Sequence, residues 1–332
     1  MKKWFAAVLI FLLLCGCTTA PGEQAAVRQQ FAMDTYMEMT AYGSAGEDAL
    51  QEAGALIDQL DEQLDRKGTG EVAQLNKAGE GSVSRDTAAL IGSALSLAEE
   101  TGGSFDPTIA PLMDAWGFYG QTPRVPALQE REEALNRIGW ERVKVNGTSV
   151  SLGGTELDLG GIAKGYAADC ACDILRKRGV TSAILSLGGN VQCVGAKPDG
   201  SLWQVAITDP ENSSEYACSV AVADRAVVTS GGYQRNFEAD GRLYHHILDP
   251  FTGETAESGV LSVTVIGAQG TLCDGLSTAL FVMGKEKGIR FWRSRQEEFD
   301  VVFITHEGIF YTPGVRITGQ GDRALFPILS EE

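Results

Sequence analysis

Apolar residues recur along this chain in two periods. Between Ala45 and Arg66, Leu50, Ala53, Leu56, Ile57, Leu60 and Leu64 share one helical face with acids opposite, which predicts an amphipathic helix. Ala163 to Arg178 repeats the pattern with Ala167, Cys170, Ala171, Ile174 and Leu175. Asp86 is placed to cap a further helix running to about Glu100. Ala127 to Ile138 reads as a polar helix and Leu272 to Val282 as an apolar one. Strand-like runs are Phe31 to Tyr42, with Met33-Asp34-Thr35 at its centre, then Ser182 to Leu187, Val191 to Gly195, Trp203 to Thr208, Ala217 to Ala223, Ala226 to Thr229, Leu243 to Leu248, Val260 to Ile266 and Val301 to Thr305. Arg142 to Val145 and Thr148 to Leu152 flank Asn146-Gly147, the dipeptide that best fits a two-residue hairpin turn. Lys67 to Ser82 shows neither period and is expected as a loop. Short strands, hairpin turns and interspersed helices predict an α+β fold of antiparallel sheets with packed helices. No repeat and no clean linker divides it, so a single two-lobed domain is expected.

Composition bounds the function. Of 332 residues 44% are apolar, enough for a sizeable core, and 40 glycines promise many turns. A net charge of −17 argues against nucleic acid or anionic lipid as a partner, since both need a basic face. An anionic small ligand stays open, because a cation or local lysines can reverse the field inside a pocket. Lys2 and Lys3 precede an apolar run from Trp4 to Leu14, shorter than the roughly 20 residues a bilayer span takes. It closes on Leu14-Cys15-Gly16-Cys17, which looks like a bacterial lipobox with Cys17 lipidated. The expected organisation is a signal peptide at 1–16, a tether at 17–29 and the folded domain at 30–332. Such a protein is held by lipid on the extracytoplasmic face of the cell membrane. Cys170, Cys172, Cys193, Cys218 and Cys273 remain; without a C-x-x-C pair they read as buried small hydrophobes, with room for one disulfide.

The chain's chemistry is organised around Asp158-Leu159-Gly160-Gly161-Ile162-Ala163-Lys164-Gly165-Tyr166-Ala167-Ala168-Asp169. A short extended run, two glycines and a helix start aim free backbone N–H groups at an anion. Lys164 stands in the first turn, where a cation opposes the helix dipole unless something negative lies nearby. Asp274 and Thr278 are i,i+4 on a predicted helix, a carboxylate and a hydroxyl of the kind that suit Mg²⁺; the simpler alternative is that Asp274 caps that helix. His246 lies near Asp249, a histidine–carboxylate arrangement fit for a general base, although a lone strand histidine is more often structural. Neighbouring His245 faces the other side of a strand. Glycine turns at 102–103, 160–161, 188–190 and 229–232 sit at strand ends and suggest a shared ligand rim. Phe105, Trp116 and Tyr119 would serve as core or as the wall of a planar ligand.

In this order these pieces resemble the ApbE family of FAD:protein FMN transferases. The matching segments are Met33-Asp34-Thr35, Ser104 to Thr108, Asp158 to Asp169, Leu187 to Asn190, Thr229-Ser230-Gly231, His246-Ile247-Leu248-Asp249-Pro250-Phe251-Thr252-Gly253 and Asp274 to Thr278. The resemblance implies a T-fold-like architecture, and FMN moved from FAD onto a threonine hydroxyl of a target protein with release of AMP. It implies Mg²⁺ on Asp274, Thr278 and the carbonyl of Gly161. It implies FAD contacts at Met33, Ser104, Phe105, Asp106, Asp158, Lys164, Ile247 and Leu248, and a base at His246. The acceptor would be an exported or membrane redox protein carrying a Thr-containing motif. Two departures stand out: Asp34 replaces the family's glycine, and Arg66-Lys67 stand where an aromatic tends to stack on the ligand. An Mg²⁺-dependent FAD pyrophosphatase and a non-catalytic flavin-binding lipoprotein are the alternatives.

Overall fold

The computed structural model describes residues 25–119 and 122–329. The leader, Cys17 and the first part of the tether therefore lie outside the described residues. The rest of the tether does not match its expected role. Ala25–Ala32 is already a strand, paired residue for residue with Thr35–Tyr42 from Ala25↔Tyr42 to Ala32↔Thr35.

A nine-stranded sheet forms the centre, in the order 25–32, 35–42, 183–187, 190–194, 226–231, 262–267, 299–305, 308–311 and 325–327. Neighbours are antiparallel except for the last pair, 308–311 with 325–327, which is parallel. One face packs on the helices Gly46–Leu64, Ala163–Lys177 and Gly270–Arg293. Met37, Met39, Ala41, Leu185, Leu187, Val263 and Val265 fill that side. The other face packs on a three-stranded sheet of 203–209, 212–222 and 317–320, through Cys193, Val227, Ile266, Val302 and Ile304. Val227 and Val228 point to opposite cores because side chains alternate along a strand. Covered on both sides, Ser262–Gly267 is buried at every position, so its alternating Ser262 and Thr264 are buried along with Val263 and Val265. A third small core of Leu112, Trp116, Ala134, Ile138, Tyr244 and Leu248 supports the loops around the site.

Several elements depart from the sequence reading. The run Phe31 to Tyr42 is not one strand. Met33 and Asp34 both adopt positive φ, 49° and 58°, and form a two-residue turn of the hairpin type. Asp tolerates that region, so Asp34 can occupy a turn position suited to glycine. Within Lys67 to Ser82 lies the helix Glu71–Ala78, which buries only Val72 and Leu75 and so gives too little periodicity to read. The next helix is capped by Ser84 rather than Asp86: Ser84 Oγ accepts from the Thr87 N–H at 3.2 Å. Leu243 to Leu248 stays strand only to His245, as part of a hairpin with Asn236–Ala239. The helix expected at Leu272 to Val282 runs as Gly270–Arg293, broken at Gly284 where φ is 76°. The five described cysteines are free, so no disulfide forms among them. The hairpin at Asn146-Gly147 forms as expected.

Candidate active site

The site is built on a seam between two helices. Ala163–Lys177 starts directly after the Gly160-Gly161 turn, so the N–H groups of its first turn have no partner within the helix. One of them, on Gly165, donates to Asp274 Oδ2 at 2.9 Å. The favour is returned at the other end. Asp169 Oδ1 accepts from the Gly270 N–H at 2.7 Å, and Oδ2 from the Thr271 N–H at 2.8 Å and its hydroxyl at 2.6 Å. Each helix start is thus capped by a carboxylate of the other helix, where the dipole favours negative charge. Asp274 is not a cap for its own helix. Close approach is possible because glycine faces glycine: a Cβ on Gly165 would stand 2.2 Å from the Gly270 carbonyl oxygen and 2.7 Å from Asp274 Cβ. Gly165→Ala therefore has nowhere to put its methyl without parting two backbones. We expect it to lower stability by about 1–3 kcal/mol, the usual cost of overpacking, read as the midpoint of denaturant unfolding.

Further along the seam Thr278 Oγ1 lies 3.6 Å from where a Gly161 Cβ would stand, so the expected metal residues Gly161, Asp274 and Thr278 do come together. Ser230 Oγ lies 3.3 Å from Thr278 Oγ1 and 2.7 Å from Ser277 Oγ, and Ser277 donates to the Asp274 carbonyl at 2.8 Å. This brings the 229–232 turn to the seam. Asp274 is 4% exposed, and its Oδ1 accepts no hydrogen bond from the described residues. A buried carboxylate with one oxygen unengaged and a hydroxyl beside Gly161 are hard oxygen donors. That set suits Mg²⁺, which takes few protein ligands and keeps several waters. No group of three or more His, Cys, Asp or Glu gathers among the described residues, at this site or elsewhere, so the donors here are one carboxylate and neutral oxygens.

Asp158 and its surroundings hold residues that motif reading missed. Asp158 Oδ1 accepts from the Gly160 N–H at 2.9 Å and so shapes the glycine turn. Its Oδ2 is 2.9 Å from Arg66 Nε, a charge contact that is too poorly aligned to count as a hydrogen bond. The Arg66 side chain is 2% exposed; it grips Asp114 through Nη2 at 2.7 Å and Nη1 at 3.3 Å, and its guanidinium lies 4.4 Å over the Tyr119 ring. Lys67 reaches the same Asp114 at 2.7 Å. Burial opposes ionisation of Asp114, but the hydrogen bonds from Arg66 and Lys67 prevail and hold it below the usual carboxylate range. Tyr119 donates to Asp65, and burial together with that bond pushes the phenol pKa up. Where the resemblance implies a stacking aromatic, this chain has an arginine already stacked on its own tyrosine. Arg66→Met should leave the buried Asp158 carboxylate without its cation, Asp114 keeping Lys67, and cost about 3–5 kcal/mol, as for a broken buried pair, seen as a fall in the unfolding midpoint.

His246 sits at the end of the 242–245 strand. Its backbone N–H donates to the Arg235 carbonyl at 3.1 Å, and Nδ1 lies 3.3 Å from the same oxygen. A carbonyl only accepts, so Nδ1 carries the proton and Nε2 keeps a free lone pair. Burial pushes the imidazole pKa well below 6.5, and the charges of Arg235, His245 and Lys164 act in the same direction. Lys164 also reaches back to the Gly160 carbonyl at 3.3 Å. His245 faces away: its Nε2 donates to the Ala256 carbonyl at 3.2 Å, and its ring meets Phe281 edge-on.

Other expectations need correction. Asp249 does not pair with His246. Its Oδ1 accepts from the Phe251 N–H at 2.8 Å and its carbonyl from the Gly253 N–H at 2.8 Å, so it shapes the Asp249–Gly253 turn. Trp116 is fully buried, donates to the Gly253 carbonyl at 2.7 Å and packs with Phe118, Phe237 and Tyr244; it walls no ligand. Ile247 and Leu248 bury their side chains in two different cores, leaving only backbone for a ligand. Asp106 locks the turn after Ser104, accepting from the Thr108 N–H at 2.8 Å and hydroxyl at 2.6 Å. Phe105 is buried with its ring edge 3.2 Å from the place of a Gly161 Cβ, beneath the glycine turn. Met33 is half-buried at the hairpin turn, and Thr35 beside it packs on Gly188.

A mixed α+β sheet protein with an oxygen-donor centre and a neutral histidine beside glycine turns is the class that this fold and site define. The family model described as "ApbE family" matches residues 33–303. A FAD:protein FMN transferase of Vibrio cholerae is 32% identical over 320 residues, spanning 93% of this chain and 96% of the relative. One of Treponema pallidum is 35% identical over 321 residues, spanning 87% and 88%. The crystal structure of the ApbE protein of Thermotoga maritima superposes with a TM-score of 0.80 at 31% identity, over 90% of this chain and 97% of that one. This chain belongs to the ApbE family.

Proposed function

We propose that this protein moves FMN from FAD onto a threonine hydroxyl of an exported or membrane redox protein and releases AMP. The observation that carries the reading is the helix seam, which sets a buried, half-engaged Asp274 carboxylate beside Thr278 and Gly161, with His246 Nδ1 held by the Arg235 carbonyl and its Nε2 free. The names of the relatives agree with it. Asp274, Thr278 and the Gly161 carbonyl would hold Mg²⁺. The bound ion supplies charge neutralisation at the pyrophosphate. Lys164 adds a positive charge on the same side, and the 160–161 turn offers backbone N–H groups. His246 Nε2 takes the proton of the acceptor hydroxyl as its oxygen bonds to the phosphorus on the FMN side. The phosphoanhydride bond to the AMP phosphate breaks, and AMP leaves with the bridging oxygen. The step rests on positioning and electrostatics. Met33, Ser104, Phe105, Asp106 and Asp158 line the FAD site, while Ile247 and Leu248 contribute backbone.

The lipobox ending in Cys17 places the protein, by this reading, on the outer face of the cell membrane. Intact mass after incubating residues 24–332 with FAD, Mg²⁺ and a Thr-containing acceptor peptide tests the activity. A peptide heavier by one FMN, only with Mg²⁺, is expected. Free FMN and AMP beside unmodified peptide would mean hydrolysis of FAD, and intact FAD with neither product a binding protein.

A further inference from the structure

Asp169 closes the Asp158–Asp169 stretch, and the chemistry above does not use it. Its two oxygens accept four hydrogen bonds, from Gly270 N–H, Thr271 N–H, Thr271 Oγ1 and, at 2.7 Å, Gln192 Nε2. Gln192 is 2% exposed on the strand Asn190–Val194. The carboxylate thus ties one helix to the start of another and to the sheet beneath. Because it meets the first free N–H groups of Gly270–Arg293, it fixes where that helix begins.

The consequence runs along the seam. On the helix Gly270–Arg293, Gly270, Asp274 and Thr278 follow at intervals of four and share a face. On the facing segment Asp169 is four residues from Gly165, whose N–H holds Asp274. Asp169 and Gly165 therefore grip the helix at two points a turn apart. Thr278 then falls opposite Gly161. We propose that Asp169 is a positioning residue for the oxygen-donor centre: it sets the register of the two helices so that Asp274, Thr278 and the Gly161 carbonyl converge on one ion. This rests on the divalent-ion reading of the site given above. Asp169 does not touch the ion, since both its oxygens are already engaged.

Asp169→Asn tests the inference. The amide keeps one acceptor, but its NH₂ must face a backbone N–H, so the clamp opens. We expect the Mg²⁺ concentration for half-maximal transfer to rise about 10-fold or more, the range seen when supporting groups of metal ligands are lost. At saturating Mg²⁺ kcat should stay within about threefold of wild type, because no group that meets FAD has changed. A second readout needs no turnover: Mn²⁺ titrated into wild type, Asp169→Asn and Asp274→Ala, with free Mn²⁺ followed by electron paramagnetic resonance. Mn²⁺ affinity should fall in Asp169→Asn and vanish at this site in Asp274→Ala. Thr271→Val, which removes one of the four bonds, should shift Mn²⁺ affinity in the same direction by a smaller factor. It carries the test should Asp169→Asn fail to fold. Unchanged Mn²⁺ affinity in the folded variant, or a loss of kcat that excess Mg²⁺ does not restore, overturns the assignment of Asp169 alone. A wild-type protein that binds no Mn²⁺ overturns the ion reading, and this inference with it.

Discussion

Asp274→Ala should reduce transfer by about 10³-fold, because a metal ion stabilises several kcal/mol of charge in such a transition state and each 1.4 kcal/mol is tenfold in rate. The variant has a second effect that must be kept apart from the first. Asp274 Oδ2 accepts the Gly165 N–H, and truncation strands that buried donor, at a cost of about 1–3 kcal/mol of stability. Asp274→Asn separates the two. Its amide oxygen can still accept from Gly165, so the unfolding midpoint should recover. A neutral amide binds Mg²⁺ more weakly than a carboxylate, so activity should remain low and need far more Mg²⁺. The measurements are the initial rate of peptide flavinylation across an Mg²⁺ series and the thermal midpoint of each variant. Wild-type rates in either variant at low Mg²⁺ would remove Asp274 from the metal site.

How far the sequence disclosed this arrangement depended on distance along the chain. Asp274 and Thr278 are four residues apart on one helix, so their shared face was legible from spacing. Their counterpart was not: Gly165 is 109 positions away, and nothing local says that its N–H points at Asp274. Asp169 was visible as the end of a motif, but its partners Gly270 and Thr271 are 101 and 102 positions away. Strands with a covered and an open face, such as Thr35–Tyr42 with buried Met37, Met39 and Ala41, declared themselves by alternation. The hairpin before it did not, because a methionine at positive φ is a poor turn signal and the apolar pattern runs through it. Asp249 misled for the opposite reason. It is close to His246 in sequence, but the local demand of an Asp-Pro turn claims its carboxylate. Arg66 lay in a stretch read as a helix end and loop, and its partners Asp114 and Asp158 come from separate elements.

His246→Ala should slow transfer by about 10²–10⁴-fold, the range for loss of a positioned general base, with the FAD dissociation constant within a few-fold of wild type. The pH profile makes the role specific. A base works deprotonated, and burial holds the His246 pKa below its ordinary 6.5. The acidic limb of kcat/KM, which reports the free enzyme, should therefore lie below pH 6.5, with the rate flat above it. Stability should move with the same group. As pH falls through 6.5 the unfolded chain takes up a proton on His246 that the folded chain refuses, so folding stability declines on acidification. His246→Ala should flatten part of that decline; His245, whose pKa burial also lowers, keeps the remainder. Loss of FAD binding in His246→Ala, with the rate at saturating FAD preserved, would assign the ring to ligand contact. An acidic limb that persists unchanged in the residual activity of His246→Ala would place the titrating base elsewhere. The Arg235 carbonyl matters to the outcome because it fixes which nitrogen is free: Nδ1 is committed to it, and only Nε2 can meet the acceptor hydroxyl.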